Sequence, residues 1–197
     1  MTLVALADSF RHVNSLPIAV NDVLSWIKEN TDYKIIELHG VERRHKAFRG
    51  AFKRTAIPVG SLYSGEIEIH VQILYGKDLP SDWRRLVIVK EALHIFDPPG
   101  SCVSTPEGLK RLIPAIILPE LKHTEIFTPA LNDKAGSFKA MSILLPSDAR
   151  VLLAAAVENG SRTVEEIARY VNLPEAYVDI WLRHGAELEP VFLNGAV

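Results

Sequence analysis

Two patterns of apolar residues stand out along the chain. Over Glu66–Ile73, apolar and polar residues alternate, with Ile67, Ile69, Val71 and Ile73 on one side and Glu66, Glu68, His70 and Gln72 on the other. A period of two predicts a strand with one buried and one wet face, as in an antiparallel sheet or at a sheet edge. His70 falls on the wet face and reads as a solvated residue. Over Ser81–Asp97, Leu86, Val89, Leu93 and Phe96 recur at helical spacing and predict a helix with one apolar stripe. Ser81 suits its N-cap and Asp82 the positive end of its dipole. Pro98, Pro99 and Gly100 end it, and Pro98 pushes Asp97 out of helical geometry.

The rest of the chain reads in shorter pieces. Residues 1–14 hold a short helix. Ile18 to Asn30 predicts a second, with Val20, Val23, Leu24 and Ile27 on one face and Pro17 at its start. Tyr33 to Leu38 reads as a strand ending at Gly40. After the long helix comes a proline-rich passage, with short helices expected near 107–113 and 115–121, broken at Pro114. A passage of that length predicts a cap or lid over the core. Leu131 to Leu145 is helical and stops at Pro146, and Ser147 is placed to cap a helix from Asp148 to Val157, closed by Gly160. Thr163 and Glu166 form a capping box that opens a helix to Val171, and Pro174 suits the first turn of a last helix to about Leu188.

Composition narrows the class. A chain of 197 residues with 48% hydrophobic and 23% charged residues is that of an ordinary globular domain. Its net charge of −2 argues against a dedicated nucleic-acid coat. The one cysteine, Cys102, excludes both an internal disulfide and a multi-cysteine zinc cluster. The start lacks a basic segment before its short apolar run, which predicts no signal peptide, and no apolar run reaches membrane-spanning length. The expectation is a cytoplasmic protein without membrane contact.

Three stretches carry candidate chemistry. Residues 42–54 gather Arg43, Arg44, Lys46, Arg49, Lys53 and Arg54 against a single acid, Glu42, with Phe48 and Phe52 between them. Such a run suits phosphates or an acidic partner, with the aromatic rings as stacking platforms. The plainer reading, which we prefer, is a solvated loop or short helix anchored to the core by the two phenylalanines. The last two helices suggest a helix-turn-helix, but residues 147–189 carry eight acids against four arginines. Glu175 and Asp179 on the recognition helix would repel phosphates, so helical packing is the better reading. Within the long helix, Lys90, Glu91 and His94 have the layout of the zinc-protease sequence H-E-x-x-H, with lysine where the first histidine should be.

On these residues the chain resembles the ImmA/IrrE-like metallopeptidases, a zincin-type group of bacteria and phages. The resemblance is carried by Lys90-Glu-Ala-Leu-His94, by the later helix around Ala135 and Phe138 running on to Leu145-Pro146, and by Thr163 to Leu173. It spans about residues 60–185. It implies an α+β fold: a zincin-like core over 1–146 with a small antiparallel or mixed sheet packed on helices, and a helical C-terminal region, 147–197, packed on that core. It also implies zinc held by two motif histidines and a glutamate from the later helix, with the motif glutamate as general base. Glu91 matches the base and His94 the second histidine. Lys90 replaces the first, and the expected glutamate falls on Asn132, beside Asp133. A lysine ammonium has no lone pair and brings positive charge to the place of a cation. The expectation is therefore a catalytically degenerate protein without a cofactor, with Glu91 as a remnant base. It would bind a protein or peptide partner through the former cleft, with residues 66–73 offering an edge to a peptide strand. The alternatives are an active zinc metallopeptidase that recruits Asp97, Asp133 or Glu125, and a nucleic-acid-associated regulator using Arg43 to Arg54.

Overall fold

A computed structural model describes residues 1–13, 15–43, 48–60, 66–97 and 128–193, the last segment by its backbone alone over residues 128–134. The helices expected near 107–113 and 115–121, the lid, Cys102, Glu125, Arg44 and Lys46 lie outside the described residues, as do the side chains of Asn132 and Asp133. Among the described residues the chain is α+β, with seven α-helices and one three-stranded mixed sheet. Helices α1 (Leu3–Phe10) and α2 (Val20–Asn30) precede strands β1 (Ile35–Val41), β2 (Gly50–Pro58) and β3 (Ile67–Gly76). Helix α3 (Ser81–Leu93) follows and tightens into a 3-10 turn at His94–Phe96. The C-terminal part consists of α4 (Thr128–Leu144), α5 (Ser147–Glu158), α6 (Val164–Val171) and α7 (Glu175–Leu193).

Strand β3 lies in the middle of the sheet, parallel to β1 and antiparallel to β2. This corrects two expectations. The alternating stretch is not an edge strand, because both of its edges are paired, and it cannot accept a peptide strand. The part of the charge run from Gly50 to Arg54 is strand β2 rather than a loop or short helix. The alternation itself holds where helices cover the sheet: Val71 and Ile73 are fully buried, whereas Ile67, at the start of the strand, is 65% exposed. On the opposite face Gln72 donates to Glu37 of β1, and His70 Nε2 lies 3.3 Å from Glu68 rather than standing free in solvent.

Several ends differ from the sequence reading in informative ways. Ser81 and Ser147 are first helical residues rather than caps, since Pro80 and Pro146 take the cap positions. Their hydroxyls reach distant partners instead: Ser81 donates to Asn172, and Ser147 lies 3.0 Å from both carboxylate oxygens of Glu189. Helix α2 starts at Val20 and β1 at Ile35, each two residues later than expected. Helix α7 runs on to Leu193 and tolerates Pro190 in its last turn, where only one backbone hydrogen bond is forfeited. The capping box is present in full, with Glu166 N–H on the Thr163 hydroxyl at 3.2 Å and Thr163 N–H on the Glu166 carboxylate at 2.9 Å. Asn172 ends α6 in the left-handed region, at φ 52°.

One buried cluster joins all these parts. It includes Leu6, Val23 and Ile27 of α1 and α2, Val71 and Ile73 of β3, Leu86 and Val89 of α3, Met141 and Leu144 of α4, and Trp181 of α7. Helices α2 and α3 lie against the sheet, and α4 packs between α3 and α7. Two glycines allow the close approaches that frame the last turns of α3. A Cβ on Gly50 of β2 would stand 2.5 Å from Val87 and 3.0 Å from Glu91, and one on Gly136 of α4 would stand 3.1 Å from the Lys90 side chain.

Candidate functional site

The last turns of α3 carry the candidate residues into the space between β2 and α4. Lys90 and Glu91 lie on its final α-helical turn, and His94 is its C-cap. Asp97 has the extended backbone that the following proline demands, at φ −74° and ψ 144°. The 3-10 turn folds the chain back, so that the Asp97 carboxylate meets the His94 ring three residues earlier.

The result is a chain of charged groups with little solvent contact. Lys90 Nζ stands 2.9 Å from Glu91 Oε1, and the Glu91 side chain is 4% exposed. His94 has a carboxylate on either side, with Nδ1 2.7 Å from Asp97 Oδ2 and Nε2 3.6 Å from Glu91 Oε2. Lys139, three residues beyond Gly136 on α4, lies 3.5 Å from the other Asp97 oxygen. The His94 ring leans on Phe52 of β2, with centroids 5.9 Å apart.

Asp97 feels opposing influences. Burial pushes its carboxyl up, but the hydrogen bond from His94 and the charges of His94 and Lys139 outweigh it and hold the carboxyl below the usual range. A lowered folded-state value means that the group contributes stability above the ordinary carboxylate pKa of about 4 and loses that contribution as pH falls through its folded value. Asp97→Asn is therefore expected to cost about 1.5–3 kcal/mol at pH 7, the range for hydrogen bonds to charged groups. In urea unfolding the gap between variant and parent should narrow below about pH 4. A gap that stays constant down to pH 3 would remove Asp97 from the acid response.

The sequence reading placed Lys90, Glu91 and His94 together, and the structure brings them into one network. It offered Asp97 only as a substitute metal ligand, whereas Asp97 is bound to His94 and Lys139. Lys139 was missed. No local signal marks it, because its role arises only from the packing of α4 on α3.

The described residues of the basic run do not form one surface. Arg43 is held by Asp78 through two contacts of 2.6 Å, and Asp78 is drawn below the usual carboxylate range by that pair. The Arg49 guanidinium lies over Trp83, 3.8 Å from the ring centroid. Arg54 lies over Tyr33 and Phe52, with centroid distances of 5.0 and 5.5 Å. Lys53 is exposed and, being next to Arg54 in a strand, points to the other face of the sheet. A continuous cationic stripe for a phosphate backbone is not assembled from these residues.

Nor do the described residues fit a catalytic zinc. Such a site needs three ligands with lone pairs and an open position. Here one imidazole, His94, faces a glutamate whose other oxygen is taken by an ammonium. Among the described residues no group of three or more His, Cys, Asp or Glu is arranged to hold a metal ion. Among the same residues no single helix is long and apolar enough to cross a membrane. No family model, no curated protein and no solved structure matches the chain.

Proposed function

We propose that the chain is a catalytically degenerate, peptidase-like protein with a zincin-like core, which binds a protein or peptide segment beside the α3–β2 network. The observation that carries this reading is the Lys90–Glu91 contact of 2.9 Å. A permanent ammonium stands on the glutamate that a zinc peptidase keeps free as a base, so the positive charge needed there comes from the protein itself. A second observation supports a remnant cleft over an arbitrary ion network. Asp97 grips His94 by Nδ1 and leaves Nε2 turned toward Glu91, the arrangement in which an outer carboxylate orients a metal-binding imidazole.

Because β3 is enclosed, a peptide strand would have to add to an outer edge, β1 or β2. Of the two, β2 adjoins the network through Gly50 and Phe52. Backbone groups along such an edge supply affinity and alternate side chains supply selection.

Elemental analysis of protein purified without chelator tests the metal-free reading. We expect zinc far below one equivalent and thermal unfolding unchanged by a chelator. About one zinc per chain, with a loss of stability on chelation, would overturn it, because metal-binding energy is folding energy when the site is occupied.

A further inference from the structure

A helix at the surface of a globular protein normally turns polar residues outward. Helix α5 does the reverse over its middle. On its inner side Leu153, Ala154 and Val157 pack against the core. Its exposed residues are Asp148, Val151, Leu152, Ala155 and Glu158, which share one stripe at helical spacing. Val151 is 57% exposed and Leu152 68%, so charge stands only at the two ends of the stripe. Water gains nothing from such a face, and a covering surface would remove its apolar area from solvent.

The ends say what covers it. Asp148 meets the exposed His12 through one oxygen, Oδ2, at 2.7 Å, and its side chain is half exposed. At the other end Gly160, at φ 73°, turns the chain, and the Arg162 N–H donates to the Ala156 carbonyl at 3.1 Å. That bond sets the exposed Arg162 at the C-terminal end of α5, over the ring of Tyr170. Among the described residues no carboxylate pairs with it. The stripe is therefore complementary to itself when one copy is reversed on another. Asp148 of each copy then faces Arg162 of the other, and Glu158 moves toward the positive N-terminal end of the facing helix. In a parallel pair Asp148 would meet Asp148 and Glu158 would meet Glu158, which repel. The reversed pair is centred on position 155, where a two-fold axis makes a residue meet its own copy. Alanine is small and uncharged, and lets the two helices approach there. An anionic lipid surface fits less well, because carboxylates stand at both ends of the apolar residues.

We infer that the exposed face of α5 is a two-fold interface, covered by the α5 of a second copy of this chain lying antiparallel to the first. A helix of 12 residues is about 18 Å long, so the contact is small and the dimer weak and concentration-dependent.

Sedimentation velocity on the full chain, from about 5 to 500 µM, tests this over the range of weak association. The expected result is a passage from monomer to dimer within that range. Leu152→Glu should raise the dissociation constant at least about tenfold, since it places a charge at the centre of the apolar contact. Asp148→Arg and Arg162→Asp should each raise it about threefold or more, and the two together should restore the parent value, because the pair is the same with its signs exchanged. A parent that stays monomeric at the highest concentration would overturn the proposal, and uptake of that monomer by phosphatidylcholine–phosphatidylserine vesicles would give the face to a bilayer instead. A dimer that Leu152→Glu leaves intact would overturn the place of the interface. Failure of the double exchange to recover association would overturn the antiparallel pairing. If Leu152→Glu does not fold, the parent and the charge series decide.

Discussion

Replacing Trp181 with alanine is expected to cost about 4–8 kcal/mol, enough to unfold a marginal domain of this size. Among the described residues Trp181 is the largest fully buried side chain. It stacks on Phe138 of α4 with centroids 6.4 Å apart, and Phe138 in turn touches Tyr177 and Phe192. Its indole N–H donates to the Leu145 carbonyl at 2.8 Å, one of the acceptors left open where α4 ends. Two costs therefore combine. Removing the ring leaves a cavity, about 3–5 kcal/mol for a buried Trp, and the Leu145 carbonyl loses its partner, about 1–3 kcal/mol. Trp181→Phe keeps most of the volume and should show mainly the second cost. Urea unfolding of the three proteins measures both. A loss below about 2 kcal/mol for the alanine variant would mean that the C-terminal helices are not held to the core through this residue.

Such a prediction could not have come from the sequence, and the reason is general to this chain. Local patterns were legible where the cause is local. The capping box of α6 was readable because both of its hydrogen bonds close within four residues, and the extended backbone of Asp97 because a proline follows it. The serines at 81 and 147 misled because a cap and a first-turn residue look alike in sequence, and their hydroxyls answer to Asn172 and Glu189 far along the chain. Strand β2 was hidden by its own arginine. Phe52, Arg54 and Ala56 share the inner face, opposite Ile73, Val71 and Ile69, yet Arg54 counts as polar in any alternation. What makes it fit there is the pair of aromatic rings beneath it, which no periodicity reports. The place of β3 was equally out of reach, since an alternating strand with one wet face is the same whether it has one neighbour or two.

The candidate site divides along the same line. Lys90, Glu91 and His94 were found by helical spacing alone, because i and i+4 residues must share a face. Lys139 enters only through packing between elements. Its arrival changes the meaning of the motif, since a set of groups that looks short of a metal proves to hold two lysines on two carboxylates.

The largest functional change we expect is the return of zinc binding in the double variant Lys90→His, Asn132→Glu. Lys90 and His94 lie one turn apart at the end of α3, and the first substitution removes the ammonium that now sits on Glu91. His94 needs no adjustment, because Asp97 already holds its Nδ1 and leaves Nε2 toward Glu91. Position 132 is one turn before Gly136, the α4 residue that packs on Lys90, so a carboxylate introduced there lies on the same stripe of the helix. Two imidazoles and a carboxylate are a recognised zinc set, with a fourth position open to water. Titration calorimetry with zinc should show no measurable binding to the parent, weak binding to Lys90→His, and binding to the double variant at least about a thousand times tighter than to the parent, a gain of about 4 kcal/mol. Binding should weaken below about pH 6, as protons compete for the imidazoles. If the folded double variant takes up zinc no better than the parent, α3 and α4 do not present these positions to one point. The likeness of Lys90-Glu91-Ala92-Leu93-His94 to a zinc-protease helix would then be one of spelling alone.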